Sequence, residues 1–348
     1  MPDRSDFGSE VTFGLVDGSD FGSEVTFRYW NPPRRVGLGR GRNTSNRDFR
    51  GGLARARLRF ARTGLPPERI RVARPSMSER LRPILKWAGG KRSLVPRILE
   101  ELPEQIGTYY EPFVGGAAVF LALAEEKRFR RAVISDKNVQ LINLYTVVRD
   151  DLVKLMKKLE ALQERTSEDD YYEIRAQKGG TKIERAARLI YLNKTGYNGL
   201  YRVNSKGGFN VPFGRYKRPK IYDPERLMAA MAALQGVTIE VADFEQSCRA
   251  AKPGDAVYLD PPYLPLSKTA SFSAYHADAF GLPEHNRLQK AFEKLVKRGV
   301  TAILSNSDTP ETRELYRSFK PHGVQVRRPI NSIGSRRGAV SELLVISK

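Results

Sequence analysis

The stretch Ala256-Val257-Tyr258-Leu259-Asp260-Pro261-Pro262-Tyr263 constrains the fold more than any other part of the chain. Four apolar residues bounded by a turn signal read as a buried strand. Two successive prolines then offer no backbone N–H to a ladder and fix φ near −65°, so the strand has to stop where they begin. Asp260 is thereby predicted at the carboxyl edge of a sheet, which in open α/β folds is where ligands bind. The same residues could simply form a stiff turn that seats an aromatic on the core. A pattern of this kind arises by chance in roughly one chain of this length per hundred, which favours the functional reading.

The remaining pattern supplies the sheet. An amphipathic helix is predicted over 91–102, and a strand, glycine-rich turn and helix over 109–120. A short buried strand follows at 132–135, ending at Asp136, and 139–162 reads as largely helical. Further strands fall at 237–241, 300–305, 325–328 and 343–346, with a helix at 284–297. Strand and helix alternate as in a parallel sheet. Between about 150 and 235 the pattern turns helical and then loop-rich. The expected fold class is α/β, with a doubly wound, Rossmann-like sheet from 77–149 and 236–348 interrupted by a smaller, mostly helical insert at 150–235.

Sixty Lys and Arg against 39 Asp and Glu give a formal charge of +21. Such a surface gains free energy by releasing counterions condensed on phosphates, so a nucleic acid is the leading partner. The single cysteine, Cys248, cannot form an internal disulfide, and no Cys/His grouping has zinc-ligand spacing. A metal-free site in a reducing compartment is expected. No stretch reaches the roughly 20 apolar residues of a membrane span, so a cytoplasmic location is expected. Separately, the chain is read as a monomer that would meet the nucleoid through its nucleic-acid partner.

Residues 1–76 have a different texture. Ser-Asp-Phe-Gly-Ser-Glu-Val-Thr-Phe occurs at Ser5 and again at Ser19, an Arg- and Gly-rich tract follows, and no Lys precedes Lys86. With few apolar residues to offset ordering entropy, this segment is expected to be largely without order. It reads as an extension ahead of a natural start at Met77; a basic DNA-tracking arm is the functional alternative.

Two motifs suggest a cofactor. Glu111-Pro112-Phe113-Val114-Gly115-Gly116-Ala117-Ala118 lies where a strand passes into a helix, and small residues there let the backbone approach a nucleotide-like ligand. Alone, it is equally a tight turn. Asp136 ends the next strand, where a carboxylate can accept both hydroxyls of a ribose, or can cap the helix that follows. Together they point to a nucleoside-bearing cofactor. Just upstream, Leu85-Lys86-Trp87-Ala88-Gly89-Gly90-Lys91 adds an aromatic able to stack on the ligand and a Lys able to hold a carboxylate. Taken singly, a core Trp and a surface Lys are the plainer readings.

Asp-Pro-Pro-Tyr fits work on an exocyclic amine such as N6 of adenine. That lone pair is delocalised into the ring until the amine is held towards tetrahedral geometry. The Asp260 carboxylate and the Pro261 carbonyl can each accept one N–H, aiming the lone pair at an electrophile and stabilising the positive nitrogen that forms. Because the nitrogen becomes acidic only after it has reacted, Asp260 need not be a powerful base. Pro261 and Pro262 stiffen the loop, and Tyr263 offers a flat face to the base. A base in a duplex reaches such a pocket only by leaving the stack. From Gly196 to Arg218 the insert interleaves Tyr197, Phe209 and Tyr216 with Arg202, Lys206, Arg215, Lys217 and Arg218, supplying stacking faces and cations for phosphate. A solvated basic loop is the weaker reading.

With these motifs assembled, residues 82–348 resemble the Dam-type, D12-class (alpha group) DNA adenine-N6 methyltransferases. The ordered matches are Leu85 to Lys91, Glu111 to Gly115, Ser135-Asp136, Asn193 to Arg202, Phe209 to Tyr216, Asp260 to Tyr263 and Ala270 to His276. The resemblance implies S-adenosylmethionine as cofactor, in a pocket of Trp87, Lys91, Phe113, Gly115, Asp136, Asp243, Phe244 and Asp260. It implies catalysis by Asp260, Pro261, Pro262 and Tyr263, and double-stranded DNA with GATC as the target. Tyr197 would wedge into the duplex, Leu200 and Pro212 touch thymine methyls, Arg202 read a guanine, Lys86 meet the outer guanine, and Asn198 and Arg215 hold phosphates, with Tyr216 beside them. A DNA-binding protein that has lost catalysis is the competing reading. Two features depart from the family: Gly116-Ala117 stands where relatives carry a second glycine, and the N-terminal extension has no counterpart.

Overall fold

A computed structural model describes residues 10–15, 23–28, 81–87, 89–91, 93–205, 207–264, 280–327 and 339–347. Lys206, Arg328, the 270–276 match and most of the extension lie outside the described residues. The chain divides into two compact units, Met1–Arg71 and Val72–Lys348.

In the first unit, β1 (Glu10–Leu15) and β2 (Ser23–Arg28) pair antiparallel, with Glu10 opposite Arg28 and Leu15 opposite Ser23. Both strands lie within the segment that the sequence reads as largely without order. Each copy of the repeat carries Glu-Val-Thr-Phe, whose β-branched and aromatic residues suit an extended backbone, and a duplication brings two like segments close enough to pair.

The second unit runs through α1 (Val95–Glu101), β3 (Ile106–Glu111), α2 (Ala118–Glu125) and β4 (Phe129–Asp136) into a helical stretch. That stretch comprises α3 (Val139–Asp150), α4 (Leu152–Gln163), α5 (Glu168–Ala176), α6 (Lys182–Thr195) and α7 (Pro224–Ala233). The chain returns through β5 (Thr238–Val241), α8 (Phe244–Ser247), β6 (Ala256–Leu259), α9 (Leu282–Lys297), β7 (Thr301–Ser307), α10 (Pro310–Leu315), β8 (His322–Arg327) and β9 (Ala339–Ile346). The seven strands lie in the order β5-β4-β3-β6-β7-β9-β8.

From β5 to β7 all neighbours are parallel; β9 runs antiparallel to both β7 and β8. The doubly wound, Rossmann-like sheet is therefore present, with a reversed strand inserted near one edge. The strand order reverses between β3 and β6, and the crevice outside their carboxyl ends is the ligand position of this architecture. Glu111 ends β3 there, and Asp260 follows the last residue of β6.

Period-two alternation assigns the strands' side chains to two cores. Tyr109, Ala256, Tyr258, Ile303 and Leu344 face one, with α3, α4 and α6; Tyr110, Val257, Leu259, Leu304, Leu343 and Val345 face the other, with α8 and α9. The helices expected to form a separate insert share the first core: Leu155, Leu159, Tyr171, Ile190 and Tyr191 are buried in it. Two predicted helices are altered. The first begins only at Val95, after a turn, and the long helical stretch breaks at Asp151 (φ −130, ψ 31), which joins α3 to α4.

Candidate active site

At the carboxyl end of the first core's sheet face, aliphatic side chains give way to polar ones. Glu111, Tyr258, Ser305 and Glu342 are all buried there. Asp260 stands at their centre. Its Oδ1 accepts a hydrogen bond from Ser305 Oγ at 2.9 Å and is paired with Lys91 Nζ at 2.8 Å. Ser305 is itself bonded to the Tyr258 hydroxyl at 2.9 Å. Lys91 reaches its place from the loop before α1, where its ammonium also donates to the Gly89 carbonyl and lies 4.6 Å above the centre of the Tyr263 ring. The Tyr263 hydroxyl donates to Glu342 Oε2 at 2.8 Å. Pro261 is buried, while Pro262 is exposed.

Burial raises the Asp260 pKa, and the neighbouring Lys91 charge and the bonds from Lys91 and Ser305 offset only part of that rise. Burial likewise pushes Glu111 up to about 8, although the Tyr109 hydroxyl donates to it at 2.8 Å. Tyr263 is raised by burial first and then by the charges of Asp260 and Glu342, so it remains a phenol and a donor.

The predicted cofactor residues gather beside this cluster. Asp136 accepts the Gly115 N–H at 3.1 Å and the Asn138 N–H at 2.9 Å, which ties the end of β4 to the turn after β3. Burial raises its pKa despite those two bonds. The helix-capping role goes to Asn138, whose side chain accepts from Gln140 and Leu141. Gly115 adopts φ 44, and a Cβ there would stand 2.9 Å from the Trp87 indole. Ala117 adopts φ 60, ψ 30 with its methyl buried, a left-handed conformation reached without glycine.

Phe113 and Phe244 stack at 5.6 Å, and Phe280 meets both edge-on. Asp243 is otherwise engaged: it caps α8 by accepting from Glu245 N–H and pairs with Lys137 at 3.0 Å and with Arg287. Burial works upward on its pKa, but Arg287, the Glu245 N–H and Lys137 outweigh it and hold the carboxyl low. Trp87, expected against the ligand, stacks on Tyr201 at 5.1 Å.

The residues expected to recognise DNA come together on a loop after α6. Tyr197 N–H donates to Pro212 O at 2.9 Å, and bridges join Gly196 to Phe213 and Val203 to Phe209. This aligns the arm bearing Tyr197, Asn198, Leu200 and Arg202 with the arm bearing Pro212, Arg215 and Tyr216. Tyr197 and Tyr216 are exposed. Arg202 is exposed too, but Asn210 tethers it through its side chain at 2.7 Å and its carbonyl at 3.0 Å.

Buried Asn193 links this loop to the cofactor side. Its Oδ1 accepts the Lys86 N–H at 2.9 Å, and its Nδ2 donates to the carbonyls of Lys86 at 2.7 Å and Gly199 at 2.8 Å. Gly199, at φ 62, lies so close beneath Lys86 that a Cβ would stand 2.7 Å from the lysine stem. Sequence reasoning missed Tyr258, Ser305, Glu342 and the bracing by Asn193. The available signal was polarity inside strands that otherwise read as apolar.

A family model of the D12 class N6 adenine-specific DNA methyltransferases matches residues 87–330. The chain belongs to that family. It is similar to the type II methyltransferase M1.LlaDCHI of Lactococcus lactis subsp. cremoris, at 41% identity over 76% of this chain and 95% of the relative. The DNA adenine methylase of Escherichia coli (strain K12) is 41% identical over 77% of this chain and 95% of its own length. The type II methyltransferase M.MjaIII of Methanocaldococcus jannaschii is 40% identical over 77% and 99%.

Among solved structures, a precorrin-6y C5,15-methyltransferase from Geobacter metallireducens aligns at 10% identity with a TM-score of 0.30, over 73% of this chain and 86% of that one, too distant to argue from. Family membership makes the chain an adenine-specific DNA methyltransferase and implies S-adenosylmethionine as methyl donor. Among the described residues no group of His, Cys, Asp and Glu could hold a metal ion, and no helix is long and apolar enough to cross a membrane.

Proposed function

We propose that this enzyme methylates N6 of an adenine rotated out of duplex DNA, within GATC, using the cluster around Asp260. The observation that carries the reading is a carboxyl group at the tip of β6 held between Lys91 and Ser305, beside Tyr263. When bound, S-adenosylmethionine supplies an electrophilic methyl group on a sulfonium.

The chain's residues suit that cofactor. Asp136 has lone pairs left for ribose hydroxyls, Gly115 and Gly116 let the Trp87 side chain pack directly against the turn, and the Phe113–Phe244 pair offers an apolar wall. Lys91 is the cation for a carboxylate at the amino-acid end. Asp260 and the Pro261 carbonyl accept the two amine hydrogens, and Asp260 takes the proton that leaves after the nitrogen has reacted. Tyr263 stacks on the base.

On the DNA side, Tyr197 enters the gap left by the base, Leu200 and Pro212 meet thymine methyls, and Arg202 reads guanine O6 and N7 in the fork geometry that Asn210 already holds. Asn198, Arg215 and Lys86 complete the contacts. Cells expressing the chain test the whole reading. Their DNA should resist a nuclease blocked by N6-methylated GATC and be cut by one that requires it. DNA that retains the unmethylated pattern refutes GATC as the target.

A further inference from the structure

Glu342 is a carboxyl group placed where the pattern of its strand calls for an aliphatic. It shares a face of β9 with Leu344 and Ile346, and it is 6% exposed. Across the sheet it stands opposite Ser307 of β7 and Val324 of β8. Burying an acid in such surroundings is unfavourable unless the group is bonded, so it needs a partner. The hydrogen bond from the Tyr263 hydroxyl, at 2.8 Å, supplies one.

We propose that Glu342 is a positioning residue for methyl transfer, fixing the plane of the Tyr263 ring so that the face away from Lys91 meets the target base. This rests on the amine-directed reading of the pocket given above. A tyrosine held only at its backbone retains rotation about two side-chain bonds. Here the prolines fix the backbone end, the Lys91 ammonium lies 4.6 Å over one face, and Glu342 holds the far oxygen. The ring is therefore oriented before any base arrives, and orientation of this kind acts on the chemical step more than on binding. The buried phenol, whose pKa is pushed upward, keeps its proton and donates throughout the working pH range.

The test is a double-mutant cycle read by single-turnover methyl incorporation into a duplex that the wild-type chain methylates, at saturating cofactor. Glu342→Ala and Tyr263→Phe should each slow the step by about tenfold, and the double variant should be no slower than either alone. Glu342→Gln, which keeps an acceptor for the hydroxyl, should stay within about threefold of wild type. Cofactor and duplex affinities, from equilibrium titration, should move by less than about threefold in every variant. Multiplying losses in the double variant would overturn the proposal, as would a Glu342→Gln variant as slow as Glu342→Ala. Should Glu342→Ala fail to fold, Tyr263→Phe at an unchanged melting temperature still decides: a normal rate ends the proposal. A wild-type chain that methylates no adenine would instead refute the underlying reading, which these ratios do not address.

Discussion

The carboxyl edge of the sheet and the loop after α6 handle polar groups in opposite ways. At the edge, Lys91, Asp260, Ser305, Tyr258, Tyr263 and Glu342 are bonded to one another and largely buried. On the loop, the backbone satisfies itself through Tyr197–Pro212 and Asn204–Gly208 bonds, and the side chains of Tyr197, Arg202, Arg215 and Tyr216 are exposed. Groups that act on developing charge gain most when they are fixed beforehand in a site that excludes water. Groups that track a phosphate backbone gain from reach and tolerate freedom. Arg202 is intermediate, exposed at its tip but tethered by Asn210.

The contrast is sharpest for Asp260→Ala. It should lower single-turnover methyl transfer by about 10²–10³-fold, the scale of losing one fixed electrostatic partner, while duplex affinity changes by less than about threefold. An equal fall in affinity would break the distinction between the two regions.

Next in size is Glu111→Gln, on the same buried edge. With a folded pKa of about 8 against an ordinary 4.5, Glu111 binds a proton in the native state that the unfolded chain has lost. Stability should therefore fall as pH rises from about 4.5 through 8. Removing the acid should leave stability nearly unchanged near pH 4 and raise it by a few kcal/mol above pH 8, as read by chemical denaturation. Parallel pH profiles for variant and wild type would show that Glu111 is not held as inferred.

The loop should give smaller, more selective losses. Arg202→Ala is expected to weaken binding by about 1–3 kcal/mol and to relax discrimination at one base pair. A loss uniform over all sequences would reassign it to the backbone. Arg215→Ala should act evenly on all duplexes and reduce the slope of log affinity against log salt by about 0.9.

Much of this was legible in the sequence, for reasons that also mark its limit. The strand ending at Asp260 was readable because two prolines forbid its continuation, and the parallel sheet at whose carboxyl edge it lies followed from the alternation around it. The switch point between β3 and β6 needed the strand order. The reversed direction of β9 was not, since an apolar run carries no mark of which way it is crossed. Nor was the break at Asp151, across which apolar spacing continues from α3 into α4. Lys91 and Asp260 were each singled out, but a pairing between residues so far apart in the chain depends on tertiary packing. Ser305 and Glu342 are polar residues inside otherwise apolar runs, and their chemistry emerges only once register puts them on one face.

Ala117 has a consequence of its own. A residue with a Cβ at φ 60 carries about 1–2 kcal/mol of strain, tolerated because its neighbours fix the turn: its N–H bonds to Val114 O, and Tyr145 OH holds Gly115 O. A glycine would sit there more easily but would also wander more widely. With alanine, the loop's loss of freedom is completed during folding, and a ligand closing against it has correspondingly less ordering left to impose.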